Sequence, residues 1–138
     1  MPVRILLVED NLAHQRITEY ALKQGGVAIQ VSVVHDGQQA LDYLGRQEAY
    51  ADETRFPVPD LILLDLNLPK RDGREVLRVI KTDPGLREIP VVIVSTSDRE
   101  EDVSYAFKMG AVAYISKSSG FDKFNEQIAG IHKYARTS

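Results

Sequence analysis

Polar side chains follow four apolar runs of the chain, at the point where each run ends. They are Glu9 with Asp10, Asp65, Ser95 with Thr96, and Lys117. The runs are short and rich in aliphatic side chains, which is typical of buried strands in a parallel sheet. Because the carboxyl ends of parallel strands meet at one edge of the sheet, we expect these side chains to form a single site.

The three acids indicate a site for a hard divalent cation. Clustered carboxylates raise each other's pKa unless a cation lies among them, and oxygen ligands without His or Cys favour Mg²⁺ over zinc or copper. An ion held by Asp10 and Asp65 would also neutralise phosphate oxygens during phosphoryl transfer. Asp65, the most central acid, is therefore the candidate nucleophile. Lys117 and Ser95 would donate hydrogen bonds to the phosphoryl oxygens.

Five apolar runs alternate with five helical patterns along the chain. The predicted strands cover 3–8, 28–34, 61–64, 91–94 and 111–116. The predicted helices follow them, the first ending at the Gly25-Gly26 pair and the others covering 36–44, 74–83, 99–110 and 121–135. This alternation predicts an α/β fold in which helices cover both faces of an open parallel sheet. The connection 45–59 is unusually long, and we interpret it as a helix extension with a loop or as a functional insert.

Helical spacing predicts which face of three helices is buried in the core. The predicted core positions are Ala13, Ile17, Tyr20, Ala21 and Gln24 in the first helix, Val103, Ala106 and Phe107 in the fourth, and Phe121, Phe124, Ile128, Ile131 and Ala135 in the fifth. Tyr105 lies off the fourth-helix stripe, because two residues turn a helix by about 200°. We therefore expect Tyr105 to be exposed, and we interpret His14 as a solvated residue on the surface of the first helix.

The length and composition of the chain are those of one soluble domain spanning residues 1–138. The sequence has 138 residues, of which 43% are hydrophobic and 27% charged, and its net charge of -3 predicts no binding to nucleic acid or to a membrane surface. The absence of cysteine excludes disulfides and cysteine nucleophiles and is typical of a cytoplasmic protein. The apolar stretch near the N-terminus is far shorter than the roughly 20 residues of a membrane span.

Four motifs carry a resemblance to a known family. They are VED (8–10), DLNLP (65–69), PVVIVSTS (90–97) and YISK (114–117). Over essentially its whole length, the chain resembles the receiver domain of two-component response regulators. The resemblance implies a doubly wound, five-stranded, flavodoxin-like (βα)5 fold with strand order 2-1-3-4-5. It also implies that a histidine kinase phosphorylates an aspartate in the presence of Mg²⁺, and that the protein is a self-dephosphorylating phosphoacceptor and no enzyme in the ordinary sense.

The resemblance gives each polar residue at the strand ends a role. The implied roles are phosphoacceptor for Asp65, Mg²⁺ ligation for Glu9, Asp10, Asp65 and the backbone carbonyl of Asn67, and phosphate binding or switching for Ser95, Thr96, Lys117 and Tyr114. The chain departs from the family pattern at Ser118, where proline usually follows the lysine. Without proline a cis bond would cost about 2.5–4 kcal/mol, so a trans bond is expected there.

Two alternatives from other functional classes fit parts of this pattern. A small phosphohydrolase of the haloacid dehalogenase kind also uses an Asp-x-Asp motif and Mg²⁺ after a parallel strand. That family places its nucleophile on the first strand and has a second acid where Asn67 stands, which disfavours it. A receiver-like scaffold that no longer needs phosphate is disfavoured because each expected site residue is present.

The sequence predicts no output domain, so a signal would leave by protein contact. The 45–59 connection and the region 67–97 resemble those of stand-alone regulators that serve phytochrome-type histidine kinases, so a bacteriophytochrome is the expected partner. We expect a homodimer built on the fourth helix, fifth strand and fifth helix, with Tyr105, Tyr114 and Tyr134 at the interface. The alternative is a monomer that uses this patch for a downstream protein.

Overall fold

The computed structural model describes residues 2–47 and 50–136 of the chain. Within them, strands and helices alternate in the order β1 (Val3–Val8), α1 (Leu12–Lys23), β2 (Ile29–Val34), α2 (Gly37–Leu44), β3 (Leu61–Leu64), α3 (Gly73–Thr82), β4 (Val91–Ser95), α4 (Glu100–Lys108), β5 (Ala113–Ser116) and α5 (Phe121–Ala129). A 3-10 helix, Ile131–Tyr134, follows α5. None of the described helices combines the length and apolarity that crossing a membrane requires.

The strands form one parallel sheet in the order β2-β1-β3-β4-β5, which confirms the predicted doubly wound, flavodoxin-like topology. The strand β3 lies at the centre, between β1 and β4. The register pairs Val8 of β1 with Leu64 of β3. The residues that follow these two strands are therefore neighbours at the carboxyl edge of the sheet.

The sheet separates two hydrophobic cores, because successive side chains of a strand point to opposite faces. Leu6 and Leu64 belong to the core that the buried side chains of α2, α3 and α4 complete. Leu7 and Leu63 belong to the core completed by α1 and α5. The side chains of β3 are 0% exposed, which explains why this strand has no polar residue. Burial of each such leucine contributes about 1.5–3 kcal/mol.

Side-chain caps fix where α1 and α2 begin. The Asn11 side chain accepts a hydrogen bond from the backbone N–H of His14 at 3.0 Å, and Asp36 accepts one from Gln39 at 2.7 Å. These caps satisfy N–H groups that have no partner within the helix and contribute about 1 kcal/mol each. The first turn of α1 is thereby held at the edge of the sheet, directly after the acidic pair.

The fifth helix is shorter than the predicted 121–135, and its first aromatic is not in the core. It ends at Ala129, where the backbone of Gly25 packs so closely that a Cβ there would overlap the Ala129 carbonyl oxygen. The chain then tightens into the 3-10 helix, which brings Ile131 into the core at 1% exposure. Phe121, also predicted to be buried, is 60% exposed.

The buried face of α1 differs from the predicted one. Thr18, Ala21 and Leu22 are buried, whereas Ile17 is 38% and Tyr20 56% exposed. Of the five positions predicted, only Ala21 is fully buried. The helix therefore turns a polar and two aliphatic side chains inward and leaves larger apolar groups at the surface.

The buried face of α4 was also predicted incorrectly. Phe107 is 48% exposed, whereas Tyr105 is half-buried and packs against the core. The reason is that Asp102 is buried in contact with Arg74 of α3, and Tyr105, three residues further, lies on the same side of the helix. Ala106 is buried as predicted.

The long connection between α2 and β3 carries an aromatic cluster. The rings of Tyr50 and Phe56 lie 5.3 and 5.9 Å from the ring of Tyr43, measured between centroids. The Tyr43 hydroxyl donates a hydrogen bond to the Pro57 carbonyl at 2.7 Å. Residues 48–49 of the predicted 45–59 insert lie outside the described residues. The described part covers the side of the core beside α2.

Candidate functional site

Three carboxylates converge at the carboxyl edge of the sheet. One oxygen each from Glu9, Asp10 and Asp65 lies within 4.8 Å of the other two. Glu9 and Asp65 are 2% and 6% exposed, and Asp10 is exposed. The parallel register of β1 and β3 produces this arrangement, because Glu9 and Asp65 directly follow paired residues. These acids were predicted to meet from their positions after apolar runs.

Lys117 supplies the positive charge that these buried acids need. Its Nζ donates hydrogen bonds to Glu9 Oε1 at 2.5 Å and to Asp65 Oδ2 at 2.8 Å. The lysine side chain is only 7% exposed. Buried carboxylates without a cation would be strongly destabilising, so Lys117 balances part of their charge. The lysine reaches them from the end of β5, across β4.

His14 also contacts Lys117, which corrects its interpretation as a solvated surface residue. The imidazole Nδ1 lies 3.1 Å from Lys117 Nζ, and the histidine is half-buried. Its position in the first turn of α1 puts it beside the strand ends. The sequence contained a signal for this contact, since a helix that begins just after Asp10 must place its first turn at the site.

The electrostatics of the cluster favour an added cation. Burial raises the pKa of the Glu9 carboxyl; Lys117 opposes this effect and the nearby charge of Asp65 adds to it. The three acids with one lysine leave a net negative charge, and carboxylate oxygens are ligands that suit Mg²⁺. The donor set in the structure therefore fits this ion. Asn67 is exposed, and its backbone N–H donates a hydrogen bond to Asp65 Oδ1 at 3.1 Å; ligation by its carbonyl stays a prediction.

The hydroxyl residues at the end of β4 differ sharply in exposure. Ser95 is 0% exposed, and its Oγ accepts a hydrogen bond from the backbone N–H of Ser97 at 3.1 Å. Thr96 is exposed, and its carbonyl accepts a hydrogen bond from the Ser118 hydroxyl at 3.0 Å. The Lys117-Ser118 bond is trans, as expected without proline. Ser118 therefore ties the loop after β5 to the loop after β4.

A polar network connects the loop after β4 with α3, α4 and β5. The Tyr114 hydroxyl donates to the Ser97 carbonyl at 2.6 Å, and the Ser97 hydroxyl donates to Asp102 Oδ2 at 2.5 Å. Arg74 donates to Asp102 Oδ1 through Nη2 at 2.8 Å and Nε at 3.2 Å. The hydrogen bond from Ser97 and the contacts with Arg74 lower the pKa of Asp102.

Sequence reasoning missed two residues of this network, Arg74 and Asp102. Asp102 was part of an acidic helix start that is normally solvated, and nothing in the sequence pairs it with an arginine 28 residues away. Pairs between helices depend on how the helices are packed. They could not be identified from spacing along the chain.

The three tyrosines predicted at an interface are not equally available. The Tyr105 hydroxyl donates to the Arg74 carbonyl at 3.4 Å, and the ring packs on the core, so its predicted exposure was wrong. Tyr114 and Tyr134 are half-buried. Phe107 provides an exposed aromatic in the same region, beside a pocket of about 250 Å³ that Tyr114 also lines.

Comparison with known proteins agrees with this architecture. The model of the response regulator receiver domain matches residues 5–129. The response regulator Rcp1 of Synechocystis sp. is 40% identical over 133 residues, covering 96% of this chain and 88% of that protein. The crystal structure of the phosphorylated cyanobacterial phytochrome response regulator RcpA superposes with a TM-score of 0.87 at 44% identity, covering 98% and 94% of the two chains.

The Mn²⁺-bound form of Rcp1 is also similar to this structure. It superposes with a TM-score of 0.86 at 40% identity, covering 96% of this chain and 94% of that one. The family match extends over nearly all the secondary structure described above, from β1 to α5. The chain therefore belongs to the response regulator receiver domain family.

Proposed function

We propose that this protein is a signalling switch that accepts a phosphoryl group from a histidine kinase on Asp65. The observation that carries the proposal is the buried Asp65 carboxylate, flanked by two further acids and hydrogen-bonded to Lys117. A buried acid cluster with one lysine suits phosphoryl transfer better than a structural role, because its charges are costly to bury. The phosphorylated state of the similar RcpA supports the same reaction.

The transfer needs only a nucleophile, a cation and a leaving group. A carboxylate oxygen of Asp65 attacks the phosphorus of a phosphohistidine, and the P–N bond breaks as the O–P bond forms. The bonding pair returns to the imidazole nitrogen of the donor, which then takes a proton from water. Lys117 stabilises the charge on the phosphoryl oxygens. Hydrolysis of the resulting acyl phosphate restores Asp65, so the chain is a phosphoacceptor that acts on itself.

The acid cluster would hold Mg²⁺ through Asp10, Asp65 and the Asn67 carbonyl, with Glu9 completing the acidic pair. When bound, the ion would neutralise charge on the acids and on the phosphoryl oxygens. The similar Rcp1 has a Mn²⁺-bound form, which supports binding of a divalent ion by this chain. The exposure of Asp10 leaves an entry path from solvent.

We expect phosphorylation to reach the surface through Ser95 and Tyr114. A phosphoryl oxygen draws the Ser95 hydroxyl inward, and Thr96 moves with it as the next residue. The loop after β4 then shifts, and Tyr114 follows because its hydroxyl donates a hydrogen bond to the Ser97 carbonyl. Reversing a 1:99 equilibrium requires about 5.5 kcal/mol, which a few charge-assisted hydrogen bonds of about 1.5–3 kcal/mol each can supply.

The direct test is phosphorylation by a small donor. Acetyl phosphate with Mg²⁺ should add one phosphoryl group, read as a mass increase, and Asp65→Asn should abolish it. Asp98→Asn, an exposed acid in the loop after β4, is the matched control and should be labelled like wild type. Labelling of Asp65→Asn at the wild-type rate would disprove the assignment.

The proposed donor is a phytochrome-type histidine kinase, because RcpA is a phytochrome response regulator. A cytoplasmic location is proposed with it, since the kinase domain and the acceptor must meet. Purified kinase carrying labelled phosphohistidine should pass the label to wild type and not to Asp65→Asn. An equal transfer rate from an unrelated histidine kinase would contradict this partner class.

We further propose a homodimer through α4, β5 and α5, with output by protein contact. Phe107, Tyr114 and Tyr134 are now the candidate interface residues, and Phe107 replaces Tyr105 because it is exposed. Phe107→Glu should weaken dimerisation in sedimentation experiments at micromolar concentration, with and without acetyl phosphate. Tyr20→Glu, on the exposed surface of α1, is the control. A monomer under both conditions would favour the alternative, in which the patch binds a downstream protein.

A further inference from the structure

Every proton of the Lys117 ammonium group has a partner in the structure. A lysine side chain carries three N–H donors and no acceptor. Its partners are Glu9 Oε1 at 2.5 Å, Asp65 Oδ2 at 2.8 Å and His14 Nδ1 at 3.1 Å. An incoming phosphoryl oxygen can therefore bond to Lys117 only if one of these acceptors releases it.

In the unphosphorylated protein, the contact with His14 is the weakest of the three. The two carboxylates are charged acceptors at shorter distances, and charge-assisted hydrogen bonds are about twice as strong as neutral ones. Nδ1 accepts a hydrogen bond from Lys117 only in the neutral imidazole that carries its own proton on Nε2. The His14 contact is thus the longest of the three and the only one with an uncharged acceptor.

The surroundings of His14 offer its ring Lys117 as a hydrogen-bond partner. Its backbone N–H donates a hydrogen bond to Oδ1 of the cap residue Asn11 at 3.0 Å, which fixes the first turn of α1. Its side chain lines one pocket of about 220 Å³ together with Ile17, Lys117, Phe121 and Phe124. Apart from Lys117, the side chains that line this pocket with His14 are apolar and offer no hydrogen-bond partner to Nδ1.

We propose that His14 is a positioning residue for Lys117. Its Nδ1 accepts a hydrogen bond from the third N–H of Lys117 in the unphosphorylated protein, and this bond breaks when a phosphoryl oxygen accepts the same N–H. This inference rests on the proposed phosphorylation of Asp65. The contact stabilises the unphosphorylated state and is absent from the phosphorylated one, so it opposes phosphorylation. An acceptor at position 14 therefore tunes how readily Asp65 is phosphorylated.

Substitutions at position 14 separate the acceptor from the shape of the side chain. His14→Leu fills a similar volume against the apolar pocket but accepts no hydrogen bond. This variant should be phosphorylated by acetyl phosphate at a higher rate and should bind beryllium fluoride more tightly. Each change should be about 2- to 10-fold, which corresponds to the loss of one ordinary hydrogen bond. His14→Asn places an amide oxygen where Nδ1 lies and should restore wild-type values. Ala13→Leu, one residue earlier on the exposed face of α1, is the control for a new leucine.

Nitrogen-15 NMR of the His14 ring supplies a readout that a purely structural role would not change. In the unphosphorylated protein, Nδ1 should be unprotonated and hydrogen-bonded, and its signal should shift when beryllium fluoride and Mg²⁺ are added. Urea unfolding of each variant confirms that it is folded before the rates are compared. The ring measurement on wild type requires no variant.

The outcomes distinguish this inference from the proposed function. Faster labelling of His14→Leu, rescue in His14→Asn and a shifted ring signal support it. A wild type that incorporates phosphate, together with a folded His14→Leu that labels no faster or more slowly, overturns the inference alone. A ring protonated at Nδ1 in the unphosphorylated protein also overturns it. A wild type that takes up neither phosphate nor beryllium fluoride overturns the proposed function and the release step together.

Discussion

Replacing Asp102 by asparagine tests the polar network between α3, α4 and the loop after β4. The side chain is 9% exposed and accepts hydrogen bonds from Arg74 at 2.8 and 3.2 Å and from the Ser97 hydroxyl at 2.5 Å. Asparagine keeps the shape of the side chain but removes its charge. It can also present its amide NH₂ to the arginine, where two donors would face each other.

The expected cost follows from the exposure of the partner. Removing one member of a fully buried ion pair costs about 3–5 kcal/mol, but the Arg74 side chain is 31% exposed and also contacts Asp72 at 3.2 Å. Water and Asp72 can therefore compensate Arg74 in part. We expect Asp102→Asn to lower the free energy of unfolding by about 2 kcal/mol, because hydrogen bonds to charged groups are worth about 1.5–3 kcal/mol. The melting temperature should fall by roughly 8 °C.

Urea unfolding followed by far-ultraviolet circular dichroism measures this loss. Glu100→Gln is the matched control, because Glu100 is an exposed acid in the same first turn of α4. This variant also loses one negative charge at the N-terminus of the helix, an interaction that contributes about 0.3–1 kcal/mol, but it leaves the hydrogen bonds of Asp102 intact. If the two variants unfold within about 0.5 kcal/mol of each other, a typical effect for surface substitutions, the network contributes no stability and the reasoning is refuted.

Three further perturbations have expected outcomes. The pKa of Asp102 is lowered by Ser97 and then Arg74 from 3.8, so its stabilising effect is fully present above about pH 4 and is lost as the pH falls through the lower folded-state pKa. The stability gap between wild type and Asp102→Asn should therefore shrink in urea titrations at decreasing acid pH, and a constant gap would contradict this. A Cβ on Gly73 would overlap the backbone carbonyl oxygen of Asp65, so Gly73→Ala should lower the melting temperature and slow labelling by acetyl phosphate; an unchanged melting temperature would show that α3 moves away from the added methyl group without cost. Leu63→Ala, at a position with 0% exposure, should cost about 2–5 kcal/mol in urea unfolding, and a cost below about 1 kcal/mol would mean that the core collapses into the cavity.

The sheet could be predicted closely because its strands are buried on both faces. The predicted bounds 3–8 and 61–64 are those of β1 and β3. A strand covered on both sides must be apolar throughout, so its ends are marked where polar residues begin. The same rule located the acids, since the residue that follows such a strand lies at the edge of the sheet. Asp65 was found in this way.

The orientation of the helices was less predictable. In a helix as short as α4, Val103, Ala106 and Phe107 form one apolar stripe, and Asp102, Tyr105 and Ala106 form the observed inward face. Ala106 belongs to both, so the apolar pattern alone does not fix the rotation. A contact with another helix decides it, and that contact depends on packing that spacing along the chain does not contain.

The partners of Lys117 come from widely separated parts of the chain, which has a consequence for protein synthesis. Glu9 precedes the lysine by 108 residues and Asp65 precedes it by 52. A chain made from its N-terminus can pair β1, β2 and β3 while Lys117 is still to be made. During that interval the two acids face each other without their cation, and repulsion between them opposes close packing at that edge. The fifth strand, which is made after the other four, thus carries the charge that stabilises the carboxyl ends of β1 and β3, so close packing at this edge of the sheet has to wait for Lys117.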